Sequence, residues 1–101
     1  MNYGEETIKM KERPYPKAVS VKSVGKYQIE VTYTNEETYL YDVTHDIESI
    51  KSFKKLTSQE EFSKVYLAYG GMSIAWGDGD EFSDPTMDVE VPYAEGILVG
   101  R

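Results

Sequence analysis

At 101 residues, 40% of them hydrophobic and 29% charged, the chain has the size of one small folded domain, which excludes two independently stable cores and a disordered tail. A net charge of −7 without a cysteine argues against a nucleic-acid reader, which needs a concentrated basic face, and excludes disulfide staples and thiolate metal sites. No apolar run approaches the ~20 residues of a spanning helix, and Met1-Asn-Tyr-Gly-Glu-Glu-Thr7 has neither the basic region nor the apolar stretch of a secretory signal, so the expected compartment is the cytoplasm.

Residues 1–16, with Lys9, Lys11, Arg13, Pro14 and Pro16 and little periodicity, read as a flexible or loosely docked leader to a single α+β domain over 17–101. Order is expected from Ala18. The alternation through Val24 predicts a strand, and Gly25-Lys26 a tight turn. In Tyr27-Gln-Ile-Glu-Val-Thr-Tyr33 the residues Tyr27, Ile29, Val31 and Tyr33 share one face and Gln28, Glu30 and Thr32 the other, the period of two of a half-buried strand. After the polar Thr34-Asn-Glu-Glu37, Thr38–Val43 predicts a third strand, so that three neighbours with short connections form an antiparallel meander.

Ile47, Ile50, Lys51 and Lys54 then change to helical spacing, predicting a helix over about 46–55 with Thr44 or Asp46 as its N-cap. Thr57 with Glu60 offers a capping box for a second, brief helix ending near Lys64. Val65–Tyr69 and Met72–Trp76 flank Gly70-Gly71, glycines where a primed hairpin turn wants positive φ. That register sends Val65, Leu67, Tyr69, Met72, Ile74 and Trp76 to one core face. Beyond Trp76 the acidic Gly77-Asp-Gly79 is a turn, Val89, Val91 and Ile97–Val99 offer an edge strand or packed tail, and Pro92 and Gly96 interrupt any long element. The expected architecture is a mostly antiparallel sheet, a three-stranded meander plus C-terminal β-hairpin, with one or two short helices packed on one face.

In this order the chain resembles the bacterial domain-of-unknown-function (DUF) family 2442, whose members stand alone or ahead of a helix-turn-helix domain. The resemblance is carried by Val19–Val21, Val31-Thr-Tyr33, Asp42-Val-Thr44, Phe53-Lys-Lys-Leu56 with Phe62, and Ile74-Ala-Trp-Gly-Asp-Gly79, over about residues 18–85. Family members usually have Asp-Gly where this chain has Asn35-Glu36, which alters that turn, and proline where it has Gly77, which would loosen the exit from the hairpin. Nothing after Asp84 has the length or periodicity of helices, so a DNA-binding role carried by a fused domain does not transfer.

No residue set meets the requirements of a catalytic, cofactor or metal site. His45, the only histidine, lacks a nucleophile, a second acid and an oxyanion donor, and reads as a capping or solvated side chain. Asp78, Asp80 and Asp84 begin like a calcium loop, but an EF-hand from Asp78 needs glycine sixth and glutamate twelfth, where Ser83 and Val89 stand. Gly70-Gly71 and Gly77-x-Gly79 do not join a strand to a long helix, and Asp78 and Asp80 would repel phosphate. No Gly-x-Ser-x-Gly elbow accompanies the serines.

The chemistry that remains is that of a surface. Residues 1–30 carry six Lys/Arg against four acids and residues 31–101 five against fourteen, a charge that keeps a small protein soluble or recruits a cationic partner. Tyr66 faces away from Val65 and Leu67, and Tyr39 and Tyr41 face away from Leu40; tyrosine joins an apolar ring to a polar tip and is enriched at interfaces. The expected partner surface is therefore Tyr39, Tyr41 and Tyr66 with Asp78, Asp80 and Glu81. It points to a protein-binding accessory module, or an acidic inhibitor of a basic protein, with no cofactor, no membrane contact and no direct nucleic-acid binding. The alternative, a DNA-associated regulator, requires a basic patch from Lys9, Lys11, Arg13, Lys17 and Lys22.

Overall fold

The alternating segment is the centre of the first sheet. In the computed structural model, which describes residues 15–101, β1 (Ala18–Gly25), β2 (Gln28–Tyr33) and β3 (Thr38–Asp42) form the expected antiparallel meander. Ile29, Val31 and Tyr33 are buried while Gln28, Glu30 and Thr32 are not. The expected leader falls almost wholly on residues 1–14, outside the described residues; Tyr15, at its end, packs against the core.

Each turn of the meander places a non-glycine residue at positive φ. Gly25 pairs with Gln28, so Tyr27 (φ 61°) belongs to the turn and not to the strand. Its hydroxyl donates to the Thr57 carbonyl at 2.6 Å and its ring meets Phe62 edge-on. In the next turn Glu36 stands at φ 71°, and the Asn35 side chain accepts from Glu37 N–H.

The expected helix over 46–55 is two pieces. The helix α1 (Thr44–Ser49) ends at Ile50, whose ψ of 119° is extended, and a 3-10 segment follows over Lys51–Thr57. Phe53 and Leu56 are three residues apart, and the 3-10 repeat of three per turn sends both into the core. Neither Thr44 nor Asp46 is the N-cap: Val43 holds that position, and the Asp42 carboxylate accepts from Thr44 N–H at 2.8 Å. The next helix, α2 (Gln59–Phe62), is capped one residue later than expected, Ser58 Oγ accepting from Glu61 N–H at 3.4 Å. Ser58 and Glu61 keep the three-residue capping-box interval that Thr57 and Glu60 also offer.

A second sheet holds β4 (Val65–Ala68), β5 (Ser73–Trp76) and β6 (Thr86–Asp88) in the order β4-β5-β6. Val65 pairs with Trp76 and Leu67 with Ile74, so these four share the inner face as expected. The turn differs, since pairing stops at Ala68 and Ser73 and a four-residue connection, Tyr69–Met72, replaces the two-glycine turn. Tyr69 is consequently half-exposed rather than in the core, at φ 51°. Gly71 (φ 91°) lies against the Ala18 carbonyl so closely that no Cβ fits, and there the second sheet abuts β1.

After β6 the chain forms a short helix, α3 (Glu90–Glu95), where none was expected, and then β7 (Ile97–Gly100), which pairs with β3 at the edge of the first sheet. Pro92 stands in the first turn of α3, where a missing N–H costs nothing. Between the sheets Trp76, Phe53, Phe62, Ile29, Val31 and Val89 are almost fully buried, and among the described residues no charged side chain is buried with them. Tyr33 joins the layers, its hydroxyl donating to the Val89 carbonyl at 2.8 Å.

Candidate interaction site

The acidic segment after Trp76 is an ordered loop that folds back over β4. At one end the Tyr66 hydroxyl donates to Asp84 Oδ2 at 2.8 Å; at the other Glu81 accepts from Tyr69 N–H at 3.2 Å and its carbonyl from the Tyr69 hydroxyl at 2.9 Å. Ala68 and Ala75, on the same sheet face as Tyr66, are fully buried.

Asp84 is the clasp. Its Oδ2 also accepts from the N–H groups of Gly79 (3.2 Å) and Asp80 (3.1 Å), and its other oxygen lies where a side chain at residue 77 would be. Gly77 (φ 153°) thus admits the carboxylate to the end of β5, and the hairpin exit is tied down rather than loosened. The Tyr66 hydrogen bond, with the two backbone donors, holds the Asp84 carboxyl below its ordinary range. Burial and the negative charge of Asp84 in turn push the Tyr66 phenol up to about 12.

Asp80 orders the loop tip, its side chain accepting from Phe82 N–H at 3.1 Å and its carbonyl from Asp84 N–H at 2.8 Å. With these bonds made, the tip leaves Phe82 94% exposed. On the flank, Lys64 Nζ lies 3.4 Å from Glu61 and 3.6 Å from Asp78, beside an open cleft of about 360 Å³ lined also by Val65, Tyr66, Gly77 and Gly79.

Of the six residues expected to form a partner surface, Tyr66, Asp78, Asp80 and Glu81 come together on or under this loop. Tyr39 and Tyr41 do not join them. Both lie opposite the inner residues of β2, Tyr41 against Ile29 and Tyr39 against Val31. Tyr41 is buried to 9% exposure with its hydroxyl on Asp46 at 2.6 Å, and Tyr39 packs edge-on against Tyr33 with its hydroxyl on Glu37. Facing away from Leu40 is here facing the core.

Phe82 and the clasping role of Asp84 were not expected, and Tyr69 was expected on the core face rather than against Glu81. Phe82 did carry a signal, being the one large apolar residue between Gly77 and Thr86 with no pattern to bury it. His45 is exposed on α1, 3.4 Å from Ser49 Oγ. Among the described residues no group of three or more His, Asp or Glu side chains is placed to hold a metal ion, and no helix is long and apolar enough to cross a membrane. Of the basic patch required by the DNA-associated alternative, Lys9, Lys11 and Arg13 lie outside the described residues; Lys17 and Lys22 are exposed, Lys22 beside Glu30. No family model, curated protein or solved structure matches the chain.

Proposed function

We propose that this chain is a small non-enzymatic protein-binding module, an accessory or regulatory component, that docks through its Gly77–Asp84 loop. The single observation that carries the reading is Phe82, an aromatic ring standing in solvent on a loop held by hydrogen bonds at Gly77, Asp80, Glu81 and Asp84. A large apolar residue so presented lacks any packing role in the fold, and exposed aromatic anchors supply much of the binding energy at protein interfaces. Because the loop is ordered before contact, little conformational entropy is lost on docking.

Asp78, Asp80 and Glu81 share the loop with Phe82, so the partner that fits is an apolar pocket bordered by Lys or Arg. Cytoplasmic residence and an inhibitory action on a basic protein are in keeping with this chemistry, and the resemblance to a family found ahead of DNA-binding domains supports an accessory role.

Selection of a displayed random-peptide library on the immobilised chain tests the reading. Bound peptides are expected to combine an apolar centre with flanking Lys or Arg, to weaken as salt is raised, and to lose about tenfold or more in affinity against Phe82→Ala. Peptides that bind Phe82→Ala and wild type equally would sink it.

A further inference from the structure

Among the described residues β7 has no neighbour on its outer side, and this edge carries a different kind of surface. In the first sheet, ordered β1-β2-β3-β7, the outer strands are β1 and β7. Unpaired edges invite other strands unless charge, irregularity or a covering element blocks them. β1 carries Lys22, has register shifts near both ends and lies beside β4. β6, the outer strand of the other sheet, is a three-residue strand ending in Asp88. β7 has no charged residue, and Ile97, Leu98 and Val99 are 66%, 42% and 49% exposed. Its one irregularity is the register shift opposite Thr38 and Tyr39, which leaves Val99 as the extra residue.

The sequence around this edge complements itself. Gly96 is already extended at φ −84° and ψ −175°, so the extended run is Gly96-Ile-Leu-Val-Gly100, bounded by Glu95 and Arg101. An isologous antiparallel pair maps each residue onto its own copy across a two-fold axis. Centred on Leu98, that axis sets Leu98 against Leu98, Ile97 against Val99, and Gly96 against Gly100, matching β-branched residues with β-branched and small with small. Just outside the run, Glu95 closes α3 and Arg101 follows β7, so an antiparallel pair brings opposite charges near one another at both ends of the contact. Arg101 is two-thirds exposed, its guanidinium 3.1 Å from Glu37. Centring on Val99 instead would set Ile97 against Arg101 and lose the match.

We infer that β7 is a self-association edge: two copies of this chain pair antiparallel about Leu98, joining two four-stranded sheets into one of eight. The occupant is a second copy, because the charge and shape complementarity lie within this one segment.

With no cysteine in the chain, a single introduced thiol reads the register directly. Leu98→Cys is expected to cross-link to its own copy under mild oxidation about tenfold faster than Ile97→Cys, because only a residue on the axis brings its two Cα atoms within the ~7 Å a disulfide spans. Sedimentation velocity of the wild-type chain from roughly 1 μM to 1 mM is expected to show reversible dimerisation. Arg101→Glu and Glu95→Arg should each weaken it, and the double exchange should restore it, which loss of fold in either variant could not mimic. A wild-type chain monomeric throughout, equal cross-linking at 97 and 98, or a double exchange no better than the single ones would each overturn the inference. Dimerisation undiminished by Phe82→Ala is expected, so this edge and the docking loop fail or stand separately.

Discussion

The Asp84 carboxylate fills the space that a side chain on Gly77 would need. The two residues are halves of one device, since the glycine opens the corner at the end of β5 and the acid closes the loop over it. Gly77→Ala is therefore expected to expel Asp84 as well as to strain a backbone at φ 153°, costing about 2 kcal/mol or more. Gly79→Ala, at φ 105° with nothing within 4 Å of an added Cβ, should carry the strain alone and cost about half as much. Urea unfolding of the two variants compares them, and equal midpoints would show that Asp84 does not hold the corner.

Protonation of the same carboxylate gives the loop a pH dependence. The folded-state pKa of Asp84 is lowered, chiefly by the Tyr66 hydrogen bond, so its contribution is present above the unfolded value near 3.8 and disappears as pH falls through the lower folded value. Tyr66 works in the opposite direction. Its pKa is raised from 10.0 to about 12, so the neutral phenol stabilises the fold below pH 10 and that contribution is lost as pH climbs through 12. Tyr66→Phe should flatten both limbs of a stability profile, and its tyrosinate absorbance should show one fewer group titrating late. An unchanged acid limb would mean that Asp84 is held by its backbone donors alone.

Glu36 occupies a left-handed position, φ 71°, at the turn between β2 and β3. An L side chain pays about 1 kcal/mol or more there, whereas glycine is at ease but more mobile in the unfolded chain. Glu36→Gly is expected to stabilise the chain by about 0.5 kcal/mol, read as a rise in the urea midpoint without a change in slope. A fall in the midpoint would show that turn strain is relieved elsewhere.

How much was legible follows from the range of the forces involved. The strand Gln28–Tyr33 announces itself because burial alternates within six adjacent residues. The break at Ile50 does not, since helical spacing at Ile47 and Ile50 continues smoothly and only the need to bring Phe53 and Leu56 inside tightens the next turn. α3 was hidden by Pro92, read as an interruption although the first turn of a helix accepts it. Tyr39 and Tyr41 show the limit most plainly: their alternation with Leu40 was visible, but which face is covered depends on Trp76 and Phe53, far along the chain. Likewise Asp80 and Glu81 were visible as acids, while the exposure of Phe82 is set by hydrogen bonds that fold the loop back onto Tyr66 and Tyr69.

The Tyr33 hydroxyl donates to the Val89 carbonyl across the core, linking β2 to the chain leaving β6. Tyr33 is 1% exposed, and burial pushes its phenol upward. Tyr33→Phe keeps the ring against Tyr39 and Tyr93 but leaves a buried carbonyl without its partner, at a cost of about 1–2 kcal/mol. Amide exchange should report where that cost falls, with protection lost first along α3. Uniform loss over both sheets would instead identify the bond as part of the global core.

Trp76 is fully buried between Phe53 and Phe62, with ring centroids at 5.4 and 6.0 Å, yet its Nε1–H has no hydrogen-bond partner among the described residues. Its stabilisation is thus packing set against an unpaired donor. Trp76→Ala would empty the space between the sheets and is expected to cost about 4 kcal/mol, enough to unfold many domains of this size. Trp76→Phe loses part of the volume but removes the orphaned N–H, so the two effects oppose each other and the net cost should stay below about 2 kcal/mol. As the only tryptophan, Trp76 reports on its own surroundings. Its emission should be blue-shifted in the native protein and move red in a single step with urea. A Trp76→Phe variant as unstable as Trp76→Ala would show that the indole N–H is satisfied after all.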